Sequence, residues 1–272
     1  MSVRLPTFYL SHGGGPWPYM TEEDRQRFAI LESSLRDLPQ QIGVRPKAIL
    51  VVSGHWEERD FAVMSNPSPS MVYDFGGFPK ELYQISYPAP GSPGLARRVL
   101  ALIQDAHLPT HLDPKRGLDH GTYSILAVTH PEAEIPVIQV SIRSDYDPES
   151  HLKLGRALAP LRNEGILIIG SGMSYHNLRA LFASNHQKPG WESAQFDAWL
   201  QETLVDSPPS RRFERLLQWE QAPSARAAQP HEDHLIPLLV AVGAAEGEPG
   251  QVIYREKDFF GSITVSSYRF GT

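Results

Sequence analysis

The sequence contains no cysteine, which excludes disulfides, thiol catalysis and cysteine-ligated zinc or iron–sulfur sites. Any metal must then be held by histidine and carboxylate. Long hydrophobic runs are missing too. The longest, near Leu235–Ala245, is interrupted by Pro237 and falls far short of the roughly 20 residues that span a bilayer. The opening residues MSVRLPTFYLSHGGG lack the apolar stretch and small-residue cleavage site of a secretory signal, so a cytoplasmic protein is expected. Nor is there a basic excess: 25 Lys+Arg against 31 Asp+Glu give a net charge of -6, which offers no broad field for nucleic acid or anionic lipid.

Several signatures are also absent. Gly13-Gly14-Gly15-Pro16 does not have the spacing of a dinucleotide-binding turn, and there is no phosphate-binding loop ending in Gly-Lys-Ser/Thr. Gly170-Ser171-Gly172 is not a nucleophile elbow. His231-Glu232-Asp233-His234 places its histidines too close together for a zinc-protease helix.

What is present is an ordinary globular composition, 41% hydrophobic over 272 residues, enough for one core, so residues 1–272 are expected to form one domain. Short β-branched or aromatic runs at Thr7–Leu10, Ala48–Ser53, Ile135–Ile142 and Ile166–Gly170 predict buried strands. Helical patterns lie between and after them. One starts at the Thr21/Asp24 capping pair and runs to Leu38; another opens at Ser92-Pro93. Further helices are predicted over Pro148–Leu161, Trp191–Leu204, Arg211–Trp219 and Asp233–Ala245, with antiparallel edge strands at Val252–Tyr254 and Ile263–Phe270. The alternation predicts an α/β fold with a mostly parallel central sheet covered by helices on both faces. Ser65–Pro93 is a long Pro- and Gly-rich loop carrying Tyr73, Phe75, Phe78, Tyr83 and Tyr87, which either wall an aromatic substrate or pack the loop down.

Of the 11 histidines, His12, His55 and His176 each follow a predicted strand, with glycines close by. Ligands of open α/β sheets bind outside the carboxyl ends of the strands, so these three are expected to converge on one crevice. The segment from His231 to His234 adds a fourth candidate. His234, expected to begin an apolar helix, is the better ligand, whereas His231 lies in the loop before it. His120, in Gly117-Leu118-Asp119-His120-Gly121, is expected near substrate or behind the ligands, with Asp119 either orienting an imidazole or capping the following helix. His107, His111, His130, His151 and His186 have no such setting and are read as surface residues.

The strings SHGGGP, ILVVSGHWE, YDFGGFPKELYQISYPAPG, GLDHGTYSIL, IPVIQVSI, IIGSGMSYHN and EDHLIPLLVAVGAA, in order across nearly the whole chain, resemble the class III extradiol ring-cleaving dioxygenases, most closely their 4,5-DOPA dioxygenase branch. The resemblance implies that His12, His55 and His234 hold one divalent metal. It implies that His176 is an acid/base near that metal and counts as a fourth ligand in the resting site, and that His120 faces substrate. Tyr123 is expected beside His120 as a second donor to the substrate oxygen. Gln229 stands where many members of the branch carry histidine.

The implied partners are a small catechol and O2. Fe(II) is the ion that ring cleavage needs; Zn(II) is the rival occupant and, lacking redox chemistry, would leave a hydrolase. A third reading is a phosphopeptide-binding protein of the same fold, which the histidine set argues against. If the catechol were DOPA, Arg143 and Lys80 are the candidates for its carboxylate.

Overall fold

The structure, a computed structural model, describes residues 4–182 and 190–272. Eight strands form one sheet in the order β4-β3-β5-β2-β6-β1-β8-β7. They are β1 (Thr7–Ser11), β2 (Ala48–Glu58), β3 (Phe61–Met64), β4 (Thr110–Asp113), β5 (Val137–Arg143), β6 (Ile166–Gly172), β7 (Gly250–Phe259) and β8 (Ile263–Phe270). The central four, β5, β2, β6 and β1, run parallel. From β1 the sheet continues antiparallel through β8 to β7, and at the other edge β3 pairs antiparallel with β5 and parallel with β4.

The central strands are apolar without alternation because both of their faces are covered. Ile49, Leu50, Val52, Val137, Ile138, Val140 and Leu167–Ile169 are all fully buried. Each such side chain contributes about 1.5–3 kcal/mol through removal from water.

Among the described residues seven helices reach eight residues or more. They are α1 (Ala29–Arg36), α2 (Pro93–Asp105), α3 (His120–Thr129), α4 (Pro148–Leu158), α5 (Gly190–Gln201), α6 (Pro209–Leu217) and α7 (Ile236–Ala244). Successive residues of β6 show how α3 and α7 divide the faces. Ser171 Oγ donates to the Gly121 carbonyl of α3 at 2.5 Å, whereas a side chain at Gly170 would run into the Pro237 carbonyl of α7. The mostly parallel α/β sheet expected from the sequence is therefore present, with helices on both faces.

Several elements differ from expectation. The strand expected to stop at Ser53 continues to Glu58, and β3 and β4 were not expected at all. The Val252–Tyr254 run is the middle of the longer β7. Thr21 does cap, its side chain accepting from the Asp24 N–H, but the helix to Leu38 breaks into short pieces before α1. The last helix begins at Ile236 rather than Asp233, because the chain first makes a turn in which Leu235 and Ile236 donate to the Glu232 carbonyl.

His151 is not a surface residue. It is fully buried, its ring edge-on to Phe61 with centroids 5.3 Å apart. Nδ1 faces the Asp147 carbonyl at 2.7 Å and Nε2 accepts from the Arg143 N–H at 3.0 Å, so the neutral imidazole pins the first turn of α4 to the end of β5. His107 and His111 are exposed and His130 is half-buried; His186 lies outside the described residues.

The turn before α7 crosses the carboxyl ends of the strands at close range. A Cβ on Gly172 would strike the His234 carbonyl oxygen, and one on Gly54 would meet the Asp233 carbonyl. The glycines beside the predicted strand ends thus make room for this backbone segment.

Two outcomes follow from this packing. Burial holds the His151 imidazole down at about 4, so the ring is neutral in the folded chain and protonates more readily once unfolded. Its contribution is present above the unfolded value near 6.5 and is lost as pH falls from there toward 4, up to about 3 kcal/mol. Urea unfolding across that window will show a shallower pH slope for His151→Gln than for the natural chain; equal slopes would contradict the assignment. Gly172→Ala will cost about 1–3 kcal/mol by overpacking and will weaken divalent-metal binding at least tenfold, read by titration, because the carbonyl it displaces belongs to His234.

Candidate metal centre

His12 is the first residue beyond β1. Its N–H donates to the Gly172 carbonyl at 3.2 Å and its carbonyl accepts from the Trp17 indole at 2.7 Å. His55 lies within β2, not after it, in the stretch where pairing with β5 shifts register between Ser53 and Glu57. That irregularity turns the ring toward the crevice. Its N–H donates to Ser53 Oγ at 3.2 Å and its carbonyl accepts from Arg116 at 3.3 Å. His234 sits in the turn before α7, where its carbonyl accepts from the Tyr9 hydroxyl at 2.7 Å and the Met173 N–H at 3.2 Å.

The His55 imidazole meets the other two nitrogen to nitrogen. His55 Nε2 is 3.3 Å from His12 Nε2 and 3.1 Å from His234 Nε2. Two nitrogens about 2.1 Å from a shared ion, at the angles of a tetrahedral or octahedral site, lie about 3.0–3.4 Å from each other. The Nδ1 atoms of His55 and His234 each face a carboxylate. His234 Nδ1 is 2.9 Å from Asp233 Oδ2, and His55 Nδ1 is 3.4 Å from Asp74 Oδ2. Although burial raises Asp233 and Asp74, their hydrogen bonds and charge contacts to His234 and His120 outweigh it and hold both carboxyls below the usual range. Ionised carboxylates beside Nδ1 favour a proton there, which leaves Nε2 of a neutral His55 or His234 as the metal-binding nitrogen. Burial, reinforced by neighbouring imidazoles, pushes His12 and His55 well below the ordinary histidine value, which keeps both rings neutral. A divalent cation among the three nitrogens is what such a donor set fits.

His120 opens α3. Asp119 caps that helix, accepting from the Thr122 N–H, and uses its remaining capacity on Ser53 Oγ at 2.8 Å, Arg116 at 2.8 Å and Gln139 at 2.6 Å. Of the two roles expected for Asp119, capping is the one observed. The imidazole is oriented instead by Asp74, whose Oδ1 is 2.8 Å from His120 Nδ1. Asp74 was missed in the sequence. Its partners lie far along the chain, and the string Tyr-Asp-Phe-Gly-Gly-Phe reads locally as an aromatic loop.

His176 lies flat on His234, ring centroids 3.3 Å apart and planes 16° from parallel. Ligand atoms of His176, Asp233 and His234 fall within 4.8 Å of one another, as do those of His12, His55 and His120. Burial, aided by His234, lowers His176 to about 3, which leaves it neutral with a free lone pair.

These histidines open onto a cavity of about 680 Å³, lined by His12, His55, His120 and His176 together with Gly13–Gly15. The aromatic loop divides in two. Phe75 and Phe78 line the cavity, whereas Tyr83 packs on Phe75 with centroids 5.0 Å apart and Tyr87 is buried, its hydroxyl donating to the His130 carbonyl. Phe28, Phe182, Phe259 and Phe260 complete an apolar wall.

Other expected contacts are not brought to the cavity. Tyr123 is fully buried in α3, its ring edge-on to Tyr19, which does line the cavity; its hydroxyl has no hydrogen-bond partner among the described residues. Arg143 pairs with Asp145, and neither it nor Lys80 lines the cavity; Arg27 is the one lining Lys or Arg among the described residues. His231 is exposed. Gln229 is fully buried and donates to the Met173 carbonyl at 2.8 Å, which makes it a brace for the loop before His176 rather than a substrate contact.

Comparison with known proteins identifies the family. Residues 6–271 match the family described as the catalytic LigB subunit of aromatic ring-opening dioxygenase. A 4,5-DOPA dioxygenase extradiol from Beta vulgaris is 39% identical, covering 97% of this chain and 96% of its own length. The protein of that name from Escherichia coli K12 is 35% identical, covering 99% and 96%. A crystal structure of an uncharacterized Escherichia coli K12 protein superposes with a TM-score of 0.79 at 32% identity, covering 98% of this chain and all of that one. The chain belongs to the LigB family of class III extradiol, aromatic ring-opening dioxygenases.

Proposed function

We propose that the chain opens the ring of a catechol with O2, using one Fe(II) held by His12, His55 and His234. The observation that carries this reading is His55 Nε2 lying within 3.3 Å of the Nε2 atoms of both His12 and His234, at a point where His12 and His55 line an apolar cavity. When bound, Fe(II) supplies electron exchange between a closed-shell catechol and triplet O2, with open positions for both.

The protein side of the reaction is proton handling and placement. The His176 imidazole accepts a hydroxyl proton as the diol enters and returns it as the ring opens. Its stacking on His234 supports the acid/base role over that of a fourth ligand, since parallel rings do not aim two nitrogens at one point. His120, with Nδ1 committed to Asp74, has Nε2 left to meet a substrate oxygen. Phe75 and Phe78 flank the aromatic ring and exclude water. L-DOPA is the first substrate to try, on the strength of the relatives' names, with Arg27 the available partner for its carboxylate.

Oxygen uptake by protein reconstituted anaerobically with Fe(II), compared with Zn(II), will be seen only with Fe(II) and will match a yellow ring-opened product across a panel that includes L-DOPA and protocatechuate. No uptake from a fully occupied Fe(II) site would overturn the reading. His12→Ala and His55→Ala will fail to retain metal, whereas His176→Ala will retain it and lose about 10²–10⁴-fold in kcat. A metal-replete, fully active His12→Ala protein would contradict the ligand set.

A further inference from the structure

We propose that Asp74 is a shared positioning residue: its one carboxylate sets both His55, in the ligand set, and His120, on the substrate side. The proposal rests on the reading of His55 as a metal ligand. Asp74 Oδ1 is 2.8 Å from His120 Nδ1 and also accepts from the His120 N–H at 3.2 Å, while Oδ2 is 3.4 Å from His55 Nδ1. The two rings it serves are 3.9 Å apart, centroid to centroid. Asp119, although adjacent to His120 in sequence, cannot substitute, because its oxygens already accept from Ser53, Thr122, Arg116 and Gln139.

The loop that carries Asp74 is clamped to the segment that carries His120. The Val72 N–H donates to the Leu118 carbonyl at 2.7 Å, and the Leu118 N–H donates to the Ser70 carbonyl at 2.8 Å. Tyr73 adds a hydrogen bond to the Ile85 carbonyl at 2.8 Å. The same loop supplies Phe75 and Phe78 to the cavity wall. Ring placement and ligand orientation are thereby set by one backbone segment.

The chemistry makes asparagine diagnostic. A histidine that binds a metal through Nε2 keeps its proton on Nδ1, and an acceptor there fixes the ring and strengthens its donation to the ion. A carboxylate can accept the His120 Nδ1–H on Oδ1 while its second oxygen, 3.4 Å from His55 Nδ1, draws that N–H by charge. An amide of the same shape offers oxygen to one of them and turns its NH2 against the other.

The test compares Asp74→Asn with Tyr73→Phe, which loosens the same loop without touching a histidine. Zn(II) affinity is measured by competition with a chromogenic chelator in the absence of substrate, and kcat is measured on Fe(II)-saturated protein with a catechol. Asp74→Asn will bind Zn(II) at least tenfold more weakly and lose at least tenfold in kcat, with a melting transition no lower than that of Tyr73→Phe. Tyr73→Phe will keep Zn(II) affinity within twofold of the natural chain. Asp74→Asn binding Zn(II) within twofold, or Tyr73→Phe losing as much affinity, would overturn the proposal. The Zn(II) arm needs no turnover. A natural chain without oxygen uptake would sink the ring-cleavage reading, while a tenfold Zn(II) loss in Asp74→Asn would still support the positioning role.

Discussion

Three imidazoles brought together at the carboxyl end of the sheet make a nitrogen donor set that a cation between them would complete. Much of the architecture there serves to hold those rings in place. His12 is fixed by strand pairing and the Trp17 indole, His55 by an irregular stretch of β2, and His234 by a turn whose carbonyl is gripped by Tyr9 and Met173. Gly172 and Gly54 are bare because the backbone of that turn passes over them. Stability and function are coupled here: the turn packs tightly enough to aim His234, at the cost of leaving no room for a side chain on the strands beneath.

A second layer orients the rings. Asp233 faces His234, Asp74 faces both His55 and His120, and the buried Asp119 joins Ser53, Arg116 and Gln139 into a hub under the start of α3. Arg116 also reaches the His55 carbonyl and lies over the Trp56 ring, 4.8 Å from its centroid. Carboxylates withdrawn from water are costly unless paired: Asp119 accepts on both oxygens, while Asp74 and Asp233 each turn an oxygen to an imidazole Nδ1 and so orient the ring. Above this layer the apolar wall from Phe28, Phe75, Phe78 and Phe260 favours a flat aromatic guest over water.

Much of this was legible in the sequence, for reasons that can be named. Buried parallel strands are written as unbroken apolar runs, so β1, β2, β5 and β6 stood out, and the rule that ligands gather at strand ends brought His12, His55 and His176 together from positions far apart. The four-residue β3 and β4 were too short to stand out. Partnerships across the sheet left no local mark: Asp74 is tied to His120 through a separation of 46 residues, and its own neighbourhood advertises only aromatics. His151 looked like an exposed residue in a polar helix start. Its burial follows from where α4 lands on β5, which no local pattern encodes. Tyr123 was drawn toward the substrate by its nearness to His120 in sequence, but helical rotation carries it under Tyr19 instead.

The central claim is that His12, His55 and His234 share one ion. A crystal of the protein loaded with Fe(II) or Zn(II), measured with anomalous scattering at the metal edge, tests it most directly. A single strong peak is expected about 2.1 Å from the Nε2 atoms of all three histidines, with Asp233 still on the Nδ1 side of His234 and Asp74 on that of His55. A peak that misses any one of the three, or no peak in the crevice at full loading, would contradict it.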